Sequence, residues 1–252
     1  MNFVLAMLIR DFGADIRALR FAMIRLVIQP AVYLFVFGHV VGGMFSAGGS
    51  HYAETMAPGI VAIAIMSGPV TLIASSILPG YYYRTLEGWL LAPVSLRLLL
   101  ISKVLGGVLY GMVSGAVVVG LVWLLLGFAP ASLSLLLAIG VTAALFFSLL
   151  MLVVLCLPRT PDKGQEAFSF VLMPLTFFGC TFYSHSMLEA PYSQLALMLP
   201  TTYVSEGLRA AYNPSLPHLP LEQVMLGIGV STLLLLPIAE WAFRRRLRDF
   251  LW

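Results

Sequence analysis

The chain predicts an all-α membrane protein with six transmembrane helices, and three observations carry that prediction. Its 252 residues are 60% hydrophobic and only 10% charged, a balance that leaves a soluble domain too little polar surface to cover itself. Asp, Glu, Lys and Arg are absent from 26–53, 55–83, 104–158, 167–188 and 223–239. Thirteen of the 14 Lys and Arg residues fall in four clusters, 10–25, 84–103, 159–163 and 244–248, with Arg209 standing alone.

A spanning helix needs about 20 mainly apolar residues. The long uncharged run 104–158 therefore holds two spans, divided at Gly127-Phe128-Ala129-Pro130. Spans are expected near Phe21–Gly43, Met56–Leu78, Leu98–Gly127, Ser132–Pro158, Ala167–Ser186 and Leu221–Phe243. Six crossings place both termini on one side. The basic clusters mark that side as cytoplasmic, since Lys and Arg accumulate in inner loops. The net charge of +3 thus orients helices and gives no indication of a nucleic-acid partner. A β-barrel is disfavoured, because its strands would alternate apolar and polar residues and these runs do not.

Ahead of the first span, Leu5, Leu8, Ile9, Phe12, Ile16 and Leu19 recur at helical spacing. They predict an interfacial helix with its apolar stripe toward lipid. Arg10, Arg17, Arg20 and Arg25 precede an apolar run long enough to remain as a span, so no cleavable signal is expected. The loops 44–54 and around Pro130 are too short for an external domain, and the chain reads as one membrane domain over residues 1–252.

Two connections have room for something specific. The inner one, 80–97, holds Tyr81, Tyr82, Tyr83, Arg84, Glu87 and Trp89 before Pro93. Arg84 and Glu87 are three apart and would adjoin on a helix, the aromatic rings suit the headgroup zone, and Pro93 ends the helix. A short helix across the cytoplasmic surface is expected. The outer connection, 187–220, contains Pro191, Pro200, Pro214, Pro217 and Pro220, which break its apolar pieces into fragments too short to span. Short or re-entrant external helices are expected, with Glu206 and Arg209 paired at a wet surface, where such a pair contributes about 1 kcal/mol at most.

Catalytic patterns are missing. The chain has no G-x-x-x-x-G-K-[ST] phosphate loop, no G-x-S-x-G, no H-E-x-x-H and no C-x-x-C. His39, His51, His185 and His218 are scattered and read as hydrogen-bonded or interfacial residues, and Cys156 and Cys180 fall inside expected spans as small apolar residues. No metal or cofactor site is expected. Glu54, Glu166, Glu222 and Glu240 stand at span ends, so no relay of ionisable groups crosses the middle, as an ion-coupled carrier would need. Pro30, Pro69, Pro174 and Pro237 interrupt spans. Gly106, Gly107, Gly111, Gly115 and Gly120 in span three are read as helix-packing positions.

Four local patterns resemble the type-2 permeases of ABC exporters, the branch that includes nodulation-factor, antibiotic and polysaccharide export permeases. Pro58-Gly59 matches the opening of span two. Arg84-Thr85-Leu86-Glu87, with Leu90-Leu91 and Pro93-Val94-Ser95, resembles the family's coupling segment, although Arg84 stands where Gly is usual. Pro174, Phe177, Phe178 and Gly179 resemble span five, and Pro200, Tyr203, Gly207, Leu208 and Arg209 the stretch after the external helices.

The resemblance implies a permease of the bacterial cytoplasmic (inner) membrane that acts as a homodimer in lipid. Two copies of a separate ABC ATPase, carrying ATP and Mg, would dock beneath a coupling helix formed by Arg84, Thr85, Leu86, Glu87, Leu90, Leu91 and Pro93. Pro200, Tyr203, Glu206 and Arg209 would form an external gate or re-entrant region. The expected cargo is amphipathic or lipophilic: a drug, a lipid or a lipid-linked saccharide. The competing reading is a secondary carrier or channel that works without an ATPase.

Overall fold

A computed structural model of the chain describes residues 3–17, 27–41, 49–82, 95–158 and 161–249, and every regular element among them is helical. Helix α1 is Phe3–Arg17. Helix α2 covers 27–41, and its last eight residues, Leu34–Val41, widen into π-type winding. Next come α3 (Gly49–Tyr82), α4 (Leu96–Leu126), α5 (Leu133–Cys156) and α6 (Pro161–Phe178). A single 3₁₀ turn at His185–Met187 precedes the short helices α7 (Tyr192–Ala196) and α8 (Pro200–Tyr212), and α9 (Leu221–Asp249) follows.

Among the described residues, four segments are long and apolar enough to cross a bilayer: Tyr52–Pro79, Leu96–Leu126, Leu133–Cys156 and Leu221–Arg248. They correspond to the expected spans two, three, four and six. The other two expectations meet shorter elements. The apolar part of α2 is Val27–Gly38, and 18–26 lies outside the described residues. Helix α6 starts six residues before the expected Ala167 and stops at Phe178 rather than Ser186. It stops there because Cys180 adopts a left-handed φ of 54°, which a helix cannot continue through, while the Thr181 hydroxyl donates back to the Thr176 carbonyl.

Local chemistry fixes other ends. Ser95 caps α4 by accepting a hydrogen bond from the Leu98 amide, and Gly127 closes it at φ 74° with its N–H on the Trp123 carbonyl. Ser132 then caps α5 through the Leu135 amide. The turn expected at Gly127–Pro130 thus forms between the left-handed Gly127 that ends α4 and the Ser132 cap that starts α5.

Helices α3 and α5 form the centre, with 67% of each apolar window buried, against 33% for α4 and 22% for α9. Helix α3 packs along α4 and α5, α9 lies on α5, α1 on α4, and α8 rests across α3, α5 and α9. Lipid is as apolar as leucine, so close approach of backbones does more here than removal from water. A Cβ on Gly68 would stand 2.5 Å from the Gly111 Cα, one on Gly107 2.5 Å from the Ser148 hydroxyl, and one on Gly115 2.6 Å from Ile65. Gly120 has nothing within 4 Å of such an atom, so the expected glycine role holds for the inner part of α4 and fails at Gly120. Gly59 lies ten residues into α3, where its missing side chain admits the Thr181 backbone.

On α1, Leu5 and Ile9 of the expected lipid-facing stripe are about half exposed, whereas Met7 and Asp11, which lie off that stripe, are buried.

Candidate functional site

The residues of the expected coupling segment, Arg84, Thr85, Leu86, Glu87, Leu90, Leu91 and Pro93, lie outside the described residues. The expected external residues Pro200, Tyr203, Glu206 and Arg209 all fall on α8, and the structure assembles a buried polar centre around two of them.

Pro200 occupies the first helical position, where its missing N–H costs nothing. Tyr203 donates its hydroxyl to the Leu197 carbonyl at 2.7 Å, fastening α8 to the chain before it. Glu206 and Arg209 face inward and correct the expectation of a wet pair: both side chains are 0% exposed, with Nη1 to Oε1 at 2.5 Å. The three-residue spacing was visible in the sequence. Their burial comes from α8 lying across α3, α5 and α9, which no local pattern encodes.

Every face of the guanidinium is used. Arg209 Nε donates to the Thr55 carbonyl of α3 at 2.9 Å, and Nη2 donates to the carbonyls of Cys180 at 2.5 Å and Tyr183 at 2.8 Å. The left-handed turn at Cys180 presents one of those carbonyls. Glu206 accepts in turn from the His185 amide at 2.8 Å and the Leu219 amide at 3.1 Å. Five segments are therefore joined through one ion pair: the start of α3, the turn after α6, the 3₁₀ turn, α8 and the approach to α9. Burial pushes the Arg209 guanidinium down from its ordinary value, and Glu206 beside it opposes the shift. Burial likewise pushes the Cys180 thiol up, to about 11.

Around this centre the polar contacts continue. Asn213 donates to Glu54 at 3.3 Å, and Ser184 donates to the Pro217 carbonyl at 3.1 Å. The ring of His185 is hydrogen-bonded to the Ser193 carbonyl at 3.1 Å and that of His218 to the Leu219 carbonyl at 2.8 Å, in line with their reading as hydrogen-bonded residues. Cys180 lies beyond α6 rather than inside a span, yet it is buried and unoxidised, as is Cys156.

A second buried ion pair went unread in the sequence. Lys103, seven residues into α4, contacts Asp11 of α1 at 2.6 Å, with side-chain exposures of 1% and 5%. Arg10 adds a contact to the other Asp11 oxygen at 2.9 Å. Asp11 sits four residues after the buried Met7, a spacing that puts an acid on the packed face of α1, and that was the available signal. Arg97 and Arg244 both reach Glu240 at the same end of the bundle, at 2.9 and 2.5 Å, on a more open surface. Lys103 and Asp11 join α1 to α4, close to the end of α4 that follows the expected coupling segment.

Among the described residues, these two ion pairs fix helices and loops relative to one another. Comparison with known proteins gives the family. Residues 3–213 match the model of the ABC-2 type transporter family. The chain is 28% identical over 187 residues to the inner membrane transport permease YadH of Escherichia coli K12, covering 74% of this chain and 73% of that one. The same identity and coverage hold for the inner membrane transport permease YadH of Shigella flexneri. With a family match over most of its length and a body of apolar helices, the chain belongs to the ABC-2 type transporter family, as a type-2 ABC permease.

Proposed function

We propose that the chain is the membrane half of an ATP-driven exporter of amphipathic or lipophilic cargo. The observation that carries this reading is the family match over residues 3–213, in a chain that has no phosphate loop of its own. Energy then comes from a separate ABC ATPase. Two ATPase copies bind beneath two copies of this chain, and the stretch Arg84–Pro93 is the lever between them. The permease lies in the inner membrane, as the names of its relatives have it, with both termini cytoplasmic.

Helices α2 and α6 supply the first and fifth crossings in this arrangement. Supporting them are the apolar side chains they leave uncovered: Ile28, Val32 and Phe35 on α2, and Phe170, Met173, Phe177 and Phe178 on α6. An exposed apolar face of this kind meets lipid or a second copy. Closure of the ATPase pair moves the lever, and α3 and α4, joined by it and packed glycine to backbone, move together. The buried Glu206–Arg209 centre holds the external segments as one cap on α3, so the movement is delivered to the outer end as a unit.

Co-expression with the candidate ATPase tests the class. A stable complex of two permeases and two ATPases is expected, and a permease that purifies alone and transports down an ion gradient would overturn the proposal. Within the complex, Glu87→Ala is expected to lower transport-coupled ATP hydrolysis while membrane insertion is unchanged. An unaltered coupled rate removes Glu87 from the lever.

A further inference from the structure

A cavity of about 560 Å³ opens between the external segment and the first three turns of α9, lined among others by Tyr203, Glu222, Gln223, Leu226, Gly227 and Val230. Its size falls within the range of small-molecule sites. It is distinct from the buried ion-pair centre, which lies on the other residues of α8. Tyr203 links the two by position only, since its hydroxyl is held by the Leu197 carbonyl and its ring forms the cavity wall.

The wall has a definite construction. A Cβ on Gly227 would lie 2.7 Å from three atoms of the Tyr203 ring, so the ring packs flat on α9 because residue 227 has no side chain. Leu226 and Val230 are exposed and give the cavity an apolar flank that continues down α9 through Leu233 and Leu234. At the mouth stand Glu222, in the first turn of α9, and Gln223. Among the described residues no basic side chain lines the cavity, and the nearby Arg209 is fully enclosed by its own partners.

We propose that this cavity binds an amphipathic monocation, its charge at Glu222 and its apolar body against Tyr203, Leu226 and Val230. Charge complementarity selects the occupant: one carboxylate with no opposing cation favours a lipophilic cation and disfavours a phosphate or carboxylate head. An aromatic ring in the wall adds attraction for the same charge. The site rests on the exporter reading only for its consequence, that the cargo is drawn from cationic amphiphiles.

Tetraphenylphosphonium and tetraphenylborate test this, being alike in size and opposite in charge. Binding is measured to the purified full chain in nanodiscs of zwitterionic lipid, with empty nanodiscs subtracted. Tetraphenylphosphonium is expected to bind saturably, and Glu222→Gln to weaken it roughly fivefold, with Glu222→Asp retaining most of the affinity. Gly227→Ala, which displaces the ring, is expected to weaken it too, while the thermal stability of both Glu222 variants stays at the wild-type value. Saturable binding of tetraphenylborate with equal affinity, absence of tetraphenylphosphonium binding, or an unchanged affinity in Glu222→Gln overturns the site. No ATPase is needed for the measurement, so its failure leaves the exporter reading standing, and failure of the complex to assemble leaves the binding result standing.

Discussion

Replacing Arg209 by methionine is the sharpest probe of the external cap. The side chain keeps much of its length but loses all five donors, and the contacts to Glu206, Thr55, Cys180 and Tyr183 go with them. Glu206 is then a buried carboxylate with only the His185 and Leu219 amides as donors. Removing one partner of a buried pair costs about 3–5 kcal/mol, because the desolvation of the remaining charge is no longer offset. On the scaling of soluble domains of this size that is a fall in Tm of about 10 °C. Both cysteines are buried and in no disulfide, and the Cys180 thiol is held up at about 11 by burial. A thiol-reactive dye at pH 8 therefore stays dark until the fold opens, and its melting curve measures the loss. Arg209→Lys is expected to lie between, since one ammonium cannot reach all four acceptors. The double variant Glu206→Gln with Arg209→Met is expected to recover part of the loss but not all, because the three carbonyls stay unsatisfied. A single Arg209→Met variant melting within about 2 °C of wild type would refute the view that this pair ties the cap to α3.

Other expectations follow from the same structure. Lys103→Met leaves Asp11 buried with less compensation, and α1 is expected to detach more often, read as faster tryptic cleavage after Arg10 and Arg17; an unchanged rate would mean that apolar contacts alone hold α1. Gly107→Val places new atoms against Ser148 and Ile73 and is expected to destabilise by about 1–3 kcal/mol, whereas Gly120→Ala meets open space and is expected to leave the melting curve unchanged or slightly raised. Arg97→Ala removes a contact whose arginine is 72% exposed, and no measurable shift is expected; a marked one would show that the Glu240 cluster carries load. Cysteine labelling of Trp89→Cys and Trp252→Cys is expected to report one and the same face of the membrane, and opposite faces would break the six-crossing topology.

The parts of the fold that the sequence revealed share a cause. Long uncharged runs can only be satisfied in a bilayer as helices, so α3, α4, α5 and α9 were legible from composition and length. Ser95, Gly127 and Ser132 act on their own neighbours within four residues, so the turn between α4 and α5 was legible too. Helix α6 was misjudged at both ends. Its charged first turn reads as loop, and its stop depends on the backbone turn at Cys180 rather than on a breaker residue. The burial of Asp11 on α1 was missed for a related reason: the Lys103 partner that admits an acid to the packed side is 92 residues away.

The candidate site divides in the same manner. Glu206 and Arg209 were recognised by spacing, yet their environment was taken for water, because nothing within α8 records what covers it. Thr55, Cys180, Tyr183, His185 and Leu219 contribute backbone groups to the pair, and a backbone carbonyl or amide leaves no mark in the choice of residue. The cavity beside Tyr203 depends on Gly227 lying opposite a ring 24 positions earlier, a pairing that only the packing of α8 on α9 creates.

Alone, the order of residues determined that this is a membrane protein, which four long helices are apolar enough to cross, where the basic residues cluster along the chain and which family pattern it follows. These are properties of composition, period and charge, and they are summed along the chain. Tertiary structure decided that two ion pairs are sealed inside, that α4 meets α3 backbone to backbone at Gly68 and Gly111, and that a carboxylate and an aromatic ring line one cavity. Those depend on distances between segments far apart in the chain, set when helices of nearly uniform apolarity choose neighbours by shape and by the few polar groups that must find partners.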